Sequence, residues 1–196
     1  PRTDRTQTSA APTLLPLLLL LPPLVAAMAL VSCANGTPPA PQPAAAAAEH
    51  APATLQPVLV TEPVAVDSDD PAIWVNPKDP SQSLVVGTDK GGSLYVFDLE
   101  GRIVPDKTFS TGGRFNNVDV EYGLTLAGEA VDIAVATDRP VRLLRVLRLP
   151  EMTPIDNGGI AVFEGETGDA GLPMGIALYK RPVDGAVFAV VSRKTG

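Results

Sequence analysis

Three apolar runs in this chain end alike, and the spacing of those ends constrains the fold more than any other feature. Val85-Val86-Gly87-Thr88-Asp89-Lys90, Ala134-Val135-Ala136-Thr137-Asp138-Arg139 and Ala189-Val190-Val191-Ser192-Arg193-Lys194 each pass through Thr or Ser and a polar residue to a cation. The cations stand 49 and 55 residues apart. The apolar runs are short and rich in β-branched and aromatic residues. Turn chemistry bounds them: Asn76-Pro77, Gly91-Gly92, Gly112-Gly113, Asn157-Gly158-Gly159 and Asp184-Gly185. From Val58 onward no segment holds apolar residues at helical spacing for three turns without Pro or Gly. An all-β chain repeating at about 40–50 residues fits the blades of a β-propeller. An immunoglobulin-like sandwich is the rival architecture, and it does not predict recurring strand ends at this period.

The repeat has a chemical consequence. Equivalent positions of successive propeller blades lie on one face around one axis, so Lys90, Arg139 and Lys194 would converge on one rim as an anion site. Taken singly, each is also an ordinary solvated cation at a strand end.

Charge sharpens the point. The chain of 196 residues carries 15 Lys and Arg against 22 Asp and Glu, a net charge of −7. Two of each sign (Arg2, Arg5, Asp4 and Glu49) precede Val58, so the acidity belongs to the segment from Val58 to Gly196. An acidic surface argues against nucleic acid as a partner, because phosphate backbones demand a Lys/Arg excess. The single His, His50, sits in a Pro/Ala tract, which excludes a Ser-His-Asp or Cys-His site and a multi-His zinc site within this segment. The single Cys, Cys33, excludes an internal disulfide framework and a paired-cysteine metal knuckle.

The N-terminal part reads as export machinery. Arg2 and Arg5 precede an apolar run from Leu14 to Val31, which ends in Leu30-Val31-Ser32-Cys33. A basic start, an apolar core and small residues before a cleavage point make a secretory signal over residues 1–33. A spanning helix is the rival, and Pro16, Pro22 and Pro23 weigh against it. Leu-Val-Ser-Cys resembles the bacterial lipobox, so Cys33 is expected to be lipidated. The alternative is a chance Cys near an ordinary cleavage site. Residues 34–57, rich in Pro and Ala, read as a tether. The expectation is an exported lipoprotein of the outer membrane or cell surface, facing the periplasm or exterior, that meets the membrane only through its lipid.

Asp67-Ser68-Asp69-Asp70-Pro71-Ala72-Ile73-Trp74 clusters three carboxylates. Such a cluster binds a hard cation or stays solvated, and its oxygens suit Ca²⁺ or Mg²⁺ better than zinc. Pro71 at the fifth position rules out an EF-hand loop. The alternative is a turn in which Asp69 caps backbone donors ahead of a strand Ala72–Val75. Phe115-Asn116-Asn117-Val118-Asp119-Val120-Glu121 poses the same choice between calcium ligands and bend-satisfying side chains.

These residues together resemble the β-propeller phytases. The resemblance starts at Asp69-Asp70-Pro71-Ala72-Ile73-Trp74, Asn76-Pro77 and Thr88-Asp89-Lys90-Gly91-Gly92. It continues through Leu94 to Gly101, Asn116-Asn117-Val118-Asp119 and Val131 to Arg139. It ends with Gly175-Ile176-Ala177-Leu178-Tyr179 and Val190 to Gly196. It implies a six-bladed propeller that hydrolyses phytate, inositol hexakisphosphate, with calcium. Residues 58–196 would then be an incomplete N-terminal part of the domain, two blades and part of a third, inactive alone and monomeric. It implies Asp70 as a calcium ligand, Asp69 as a second metal-side carboxylate needed for activity, and Asn117 and Asp119 as weaker candidates. Lys90, Arg139 and Lys194 fall on positions that hold substrate phosphate. Two positions depart from the family pattern: Met174 stands where a phosphate-contacting Tyr is found, and Thr195 where an acidic residue is found. The rival function is a lipid-anchored propeller that binds or scaffolds without catalysis.

Overall fold

The structure, a computed structural model, describes residues 54–195. The apolar leader, Cys33, His50 and residues 34–53 of the tether lie outside the described residues. Eleven strands form three antiparallel sheets, and no α-helix occurs among the described residues. Sheet 1 comprises β1 (Ser68–Trp74), β2 (Leu84–Asp89), β3 (Ser93–Phe97) and β4 (Phe109–Ser110), paired in chain order. Sheet 2 comprises β5 (Phe115–Leu126), β6 (Glu129–Asp138), β7 (Leu143–Leu149) and β8 (Thr153–Pro154), with β9 (Ile160–Ala161) also on β7. Sheet 3 pairs β10 (Pro173–Lys180) with β11 (Val187–Arg193). Strand order that follows chain order, sheet after sheet, is the up-and-down pattern of propeller blades and not the crossed order of a sandwich. The first strands are neighbours: β5 packs against β1 on one side and β10 on the other.

Sheet 2 is buried on both faces, and β6 shows how. Ala134 and Ala136, both fully buried, point at sheet 1, where they meet Trp74, Val86, Leu94 and Val96. Val131, Ile133 and Val135 alternate onto the opposite face and pack with Ile176, Leu178, Val187 and Val191 of sheet 3. Small residues let one sheet approach the bulky side of its neighbour, while branched residues fill the other gap. Arg145 on β7 ties this arrangement to the sheet edge. Its guanidinium lies 4.9 Å over the Phe109 ring of sheet 1 and bonds fully buried Asp156 at 2.6 and 3.3 Å.

The inner strands share one irregularity. β1, β5 and β10 each carry a β-bulge against the second strand of their sheet, between Ser68 and Pro71, Phe115 and Val118, and Pro173 and Ile176. The bulged pairs are Asp69-Asp70, Asn116-Asn117 and Met174-Gly175. A hydroxyl from the second strand clips each bulge. The N–H groups of Asp70, Asn117 and Gly175 donate to Thr88 Oγ1 (2.9 Å), Thr137 Oγ1 (3.1 Å) and Ser192 Oγ (3.0 Å). Thr88 passes its own proton towards the carbonyl of Asn116 (3.1 Å), shared with that of Asp70 (3.2 Å). Thr137 does the same towards Met174 (2.8 Å). One hydroxyl therefore joins the bulge of its own sheet to the bulge of the next.

Both threonines are fully buried, so losing the hydroxyl would strand an N–H and a carbonyl without water, at about 1–3 kcal/mol. In the intact protein Thr88→Val should lower stability in a urea titration by that amount, and Thr88→Ser should recover most of it. Equal stability of Thr88→Val and wild type would show that the clip carries nothing. A second expectation concerns acid. Burial works against ionised Asp156, but bonds from Arg145 and from the Val146 and Gly158 N–H groups outweigh it and hold its carboxyl below the ordinary 3.8. A depressed carboxylate stabilises above its unfolded pKa and loses that contribution as pH falls through the folded value. Arg145→Met should therefore cost about 3–5 kcal/mol at neutral pH and markedly less at pH 2, read from urea midpoints at both.

Candidate functional site

The bulges gather the polar residues at one end of the inner strands. A bulge adds a residue to one strand and re-aims its side chains, so Asp69 and Asp70 both belong to β1 rather than to a turn ahead of it. Asp70 Oδ2 accepts the Val118 N–H of β5 at 3.0 Å. Its Oδ1 has no protein donor among the described residues. Asp69, Asp70 and Thr88 line a cavity of about 430 Å³ with Val60, Glu62 and Phe97.

The three cations occupy equivalent places by hydrogen bonding as well as by sequence. The N–H groups of Lys90, Arg139 and Lys194 donate to the carbonyls of Asp67, Arg114 and Leu172, each at 3.0 Å. Each acceptor lies three residues before the clipped bulge residue. Their side chains differ in what they touch. Lys90 Nζ reaches Asp67 at 2.7 Å and Asp69 at 3.7 Å. The Asp67 bond, opposed by partial desolvation and aided by the charges of Asp67 and Asp69, raises the Lys90 pKa, so the ammonium persists far above neutral pH. Arg139 Nη1 donates to Asn116 Oδ1 at 3.1 Å, and Asn116 Nδ2 donates to Asn117 Oδ1 at 2.6 Å. Lys194 is held by Asp169 at 2.9 Å and touches none of the other candidates.

Direct contacts therefore join Asp69 with Lys90, Asp70 with β5, and Arg139 with Asn116 and Asn117. The two oxygens of Asp119 accept the N–H groups of Val120 (2.8 Å) and Leu178 (2.7 Å), which ties β5 to β10. Met174 contributes its carbonyl to the Thr137 clip, and Thr195 is exposed.

Sequence reasoning passed over three groups. Thr88, Thr137 and Ser192 marked the repeat but were given no work. Asp89 and Asp138, nearly fully buried, fasten the segments that lead into the inner strands. Asp89 accepts the N–H groups of Val66 and Asp67, and Asp138 accepts Thr111 Oγ1 and the Arg114 N–H. Gly113 allows that second approach, because a Cβ there would collide with the Asp138 carboxylate. Arg114 is the third. Aligning the repeats on the residue three before the clipped position would have exposed it opposite Asp67.

A hard cation fits the oxygen chemistry at Asp69 and Asp70, with the Asn117 amide on the adjacent bulge. No three His, Cys, Asp or Glu side chains among the described residues converge closely enough to hold an ion by themselves. What the described residues offer is a carboxylate doublet beside an array of cations.

Comparison with known proteins gives this arrangement its lineage. The family model described as Phytase matches residues 19–148, which takes in sheet 1 and β5 and β6 of sheet 2. A 3-phytase of Bacillus subtilis (strain 168) is 35% identical over 147 residues, an alignment covering 69% of this chain and 36% of that protein. The chain thus spans about a third of the length of this curated relative. With blade-like sheets in chain order and a family match across most of the first two, the chain belongs to the phytase family.

Proposed function

We propose that the protein hydrolyses phosphomonoesters of phytate, using calcium held in part by Asp70 and Asp69, with Asn117 as a weaker contributor. The observation that carries this reading is the pairing of a bulge-borne carboxylate doublet with cations at equivalent strand ends, in a chain of the phytase family. Phytate is highly anionic and the chain is acidic, so substrate and protein would repel one another. A bound divalent cation reverses the local field, polarises phosphoryl oxygens and lowers the pKa of a coordinated water.

The chain's own residues then have defined tasks. Lys90, Arg139 and Lys194 bind and orient phosphate groups, and Asn116 fixes the guanidinium of Arg139 by accepting from Nη1. The Asp70 carboxylate is held in place through Oδ2, which leaves Oδ1 for a ligand. Attack by water forms a new P–O bond, the bond from phosphorus to the inositol oxygen breaks, and that oxygen takes up a proton. No His or Cys occurs between residues 54 and 195, and direct attack by water asks for no protein nucleophile. The remaining ligands would come from further blades of the family's ring.

In the intact protein, phytate hydrolysis should require calcium and stop with a chelator. Asp70→Ala should remove activity chiefly through metal affinity, so excess calcium should restore part of it. Lys90→Ala, Arg139→Ala and Lys194→Ala should each cost about ten- to hundredfold in kcat/KM, the scale of one charge-assisted contact. If all three matched wild type on phytate, the non-catalytic binding module would be the better reading.

We also propose that Cys33 carries lipid and anchors an exported protein, on the strength of the apolar run ending in Leu30-Val31-Ser32-Cys33. Metabolic labelling with a radioactive fatty acid should mark wild type and not Cys33→Ser. Equal labelling of both would remove the anchor.

A further inference from the structure

Three buried polar side-chain atoms lack a hydrogen-bond partner among the described residues, and two of them are guanidinium Nε atoms of neighbours: Arg114 and Arg139. Buried donors are almost always paired, so an unpaired one asks for a reason. The third, Thr108 Oγ1, belongs to the loop before β4 and is uncharged.

The two arginines are coupled through the backbone. Arg139 N–H donates to the Arg114 carbonyl at 3.0 Å, and the Arg114 N–H is fixed on buried Asp138 at 3.2 Å. Neither guanidinium has a carboxylate within 4 Å among the described residues, whereas Lys90 has two and Lys194 has one. The repeat explains the difference. The position before the bulge is Asp67 in sheet 1, where it neutralises the cation of its own sheet. In sheet 2 the same position is Arg114, which adds to that cation, and in sheet 3 it is Leu172. Of the three equivalent pairs, that of sheet 2 is therefore the one made of two cations, in a chain whose net charge is −7. The Arg114 charge also extends to sheet 1, where it opposes protonation of Lys90.

We propose that Arg114 is a further phosphate-binding residue, which forms with Arg139 a paired-guanidinium cradle for one phosphate group of the substrate. The proposal rests on the phosphomonoester reading given above. Guanidinium suits the task, since its planar fork donates two parallel bonds to phosphate and stays charged at any working pH. Each guanidinium would engage such a group through its terminal nitrogens, and no protein acceptor among the described residues holds its buried Nε against that.

The test is calorimetric titration of the intact protein with inorganic phosphate, alongside hydrolysis of inositol hexakisphosphate. Arg114→Gln should weaken phosphate binding about ten- to hundredfold and flatten its salt dependence. Arg114→Lys should fold, keep the salt dependence and bind several-fold more weakly than wild type, because it keeps the charge and loses the fork; this variant decides the matter if Gln fails to fold. Lys78→Gln, an exposed cation away from the bulges, should bind like wild type. Unchanged affinity in Arg114→Gln or Arg114→Lys, or an equal loss in Lys78→Gln, would overturn the cradle. So would wild type that takes up no phosphate. Phosphate affinity that depends on Arg114 in a protein that leaves inositol hexakisphosphate intact would overturn the hydrolase reading and leave the cradle standing.

Discussion

The hydroxyl of Thr88 is the interaction on which the site's geometry turns. Asp69 and Asp70 are adjacent carboxylates that repel one another, placed on an inner strand that must leave its regular ladder to display both. A bulge supplies the extra residue and frees an N–H. Thr88 Oγ1 accepts that N–H and passes its proton on to the bulge of sheet 2. The distance between the carboxylates of one sheet and the amides of the next is therefore set by this buried oxygen together with the bond from the Val118 N–H to Asp70 Oδ2. Thr137 repeats the device between sheets 2 and 3, so an error at one junction would propagate to the next.

The packing beneath is built to permit this. Sheets 1 and 2 must come close for one hydroxyl to span their bulges, and Ala134 and Ala136 remove the bulk that would hold them apart. At the opposite end of the inner strands the same two sheets are joined by polar contacts. Trp74 Nε1 donates to Asp132 at 2.8 Å, and the Val75 N–H donates to the Tyr122 hydroxyl at 2.8 Å. The inner strands are thus pinned at both ends, with the apolar cluster between. The free faces of sheets 1 and 3 keep apolar side chains exposed, among them Ile73, Tyr179 and Val190. These are faces that a neighbouring blade covers in a closed propeller.

Legibility followed the chemistry of each strand. β2, β3, β6 and β11 were plain in the sequence because their apolar residues run almost unbroken. β5, the longest strand, read instead as a polar cluster. Asn116, Asn117, Asp119 and Glu121 break the strand pattern, and two of them also find partners that no local window contains: Arg139 for Asn116 and the Leu178 N–H for Asp119. The acidic doublet was legible as a ligand group, but its membership in β1 was not, since a bulge leaves no mark in one strand's sequence. The strand-end cations were found by their repeat. Arg114 was missed because its two equivalents, Asp67 and Leu172, share no chemistry with it, and only the hydrogen bonds of the following residues make them equivalent.

Two kinds of polar contact divide the labour at this rim, and their energies explain the division. The pairs of Lys90 with Asp67 and Lys194 with Asp169 are open to solvent, and such pairs contribute little to stability. In the proposed site an incoming phosphate would replace the carboxylate at little cost, and the carboxylate keeps the lysine in place until then. The hydroxyl clips and the Asp89 and Asp138 fastenings are buried, and breaking one strands a donor or acceptor away from water. In the proposed site, exchange would therefore involve the exposed side chains, while buried bonds hold the backbone that carries them. Arg114 and Arg139 stand apart from both classes. Their guanidinium groups have no carboxylate to surrender among the described residues, so in the proposed site sheet 2 is where a phosphate group would settle first.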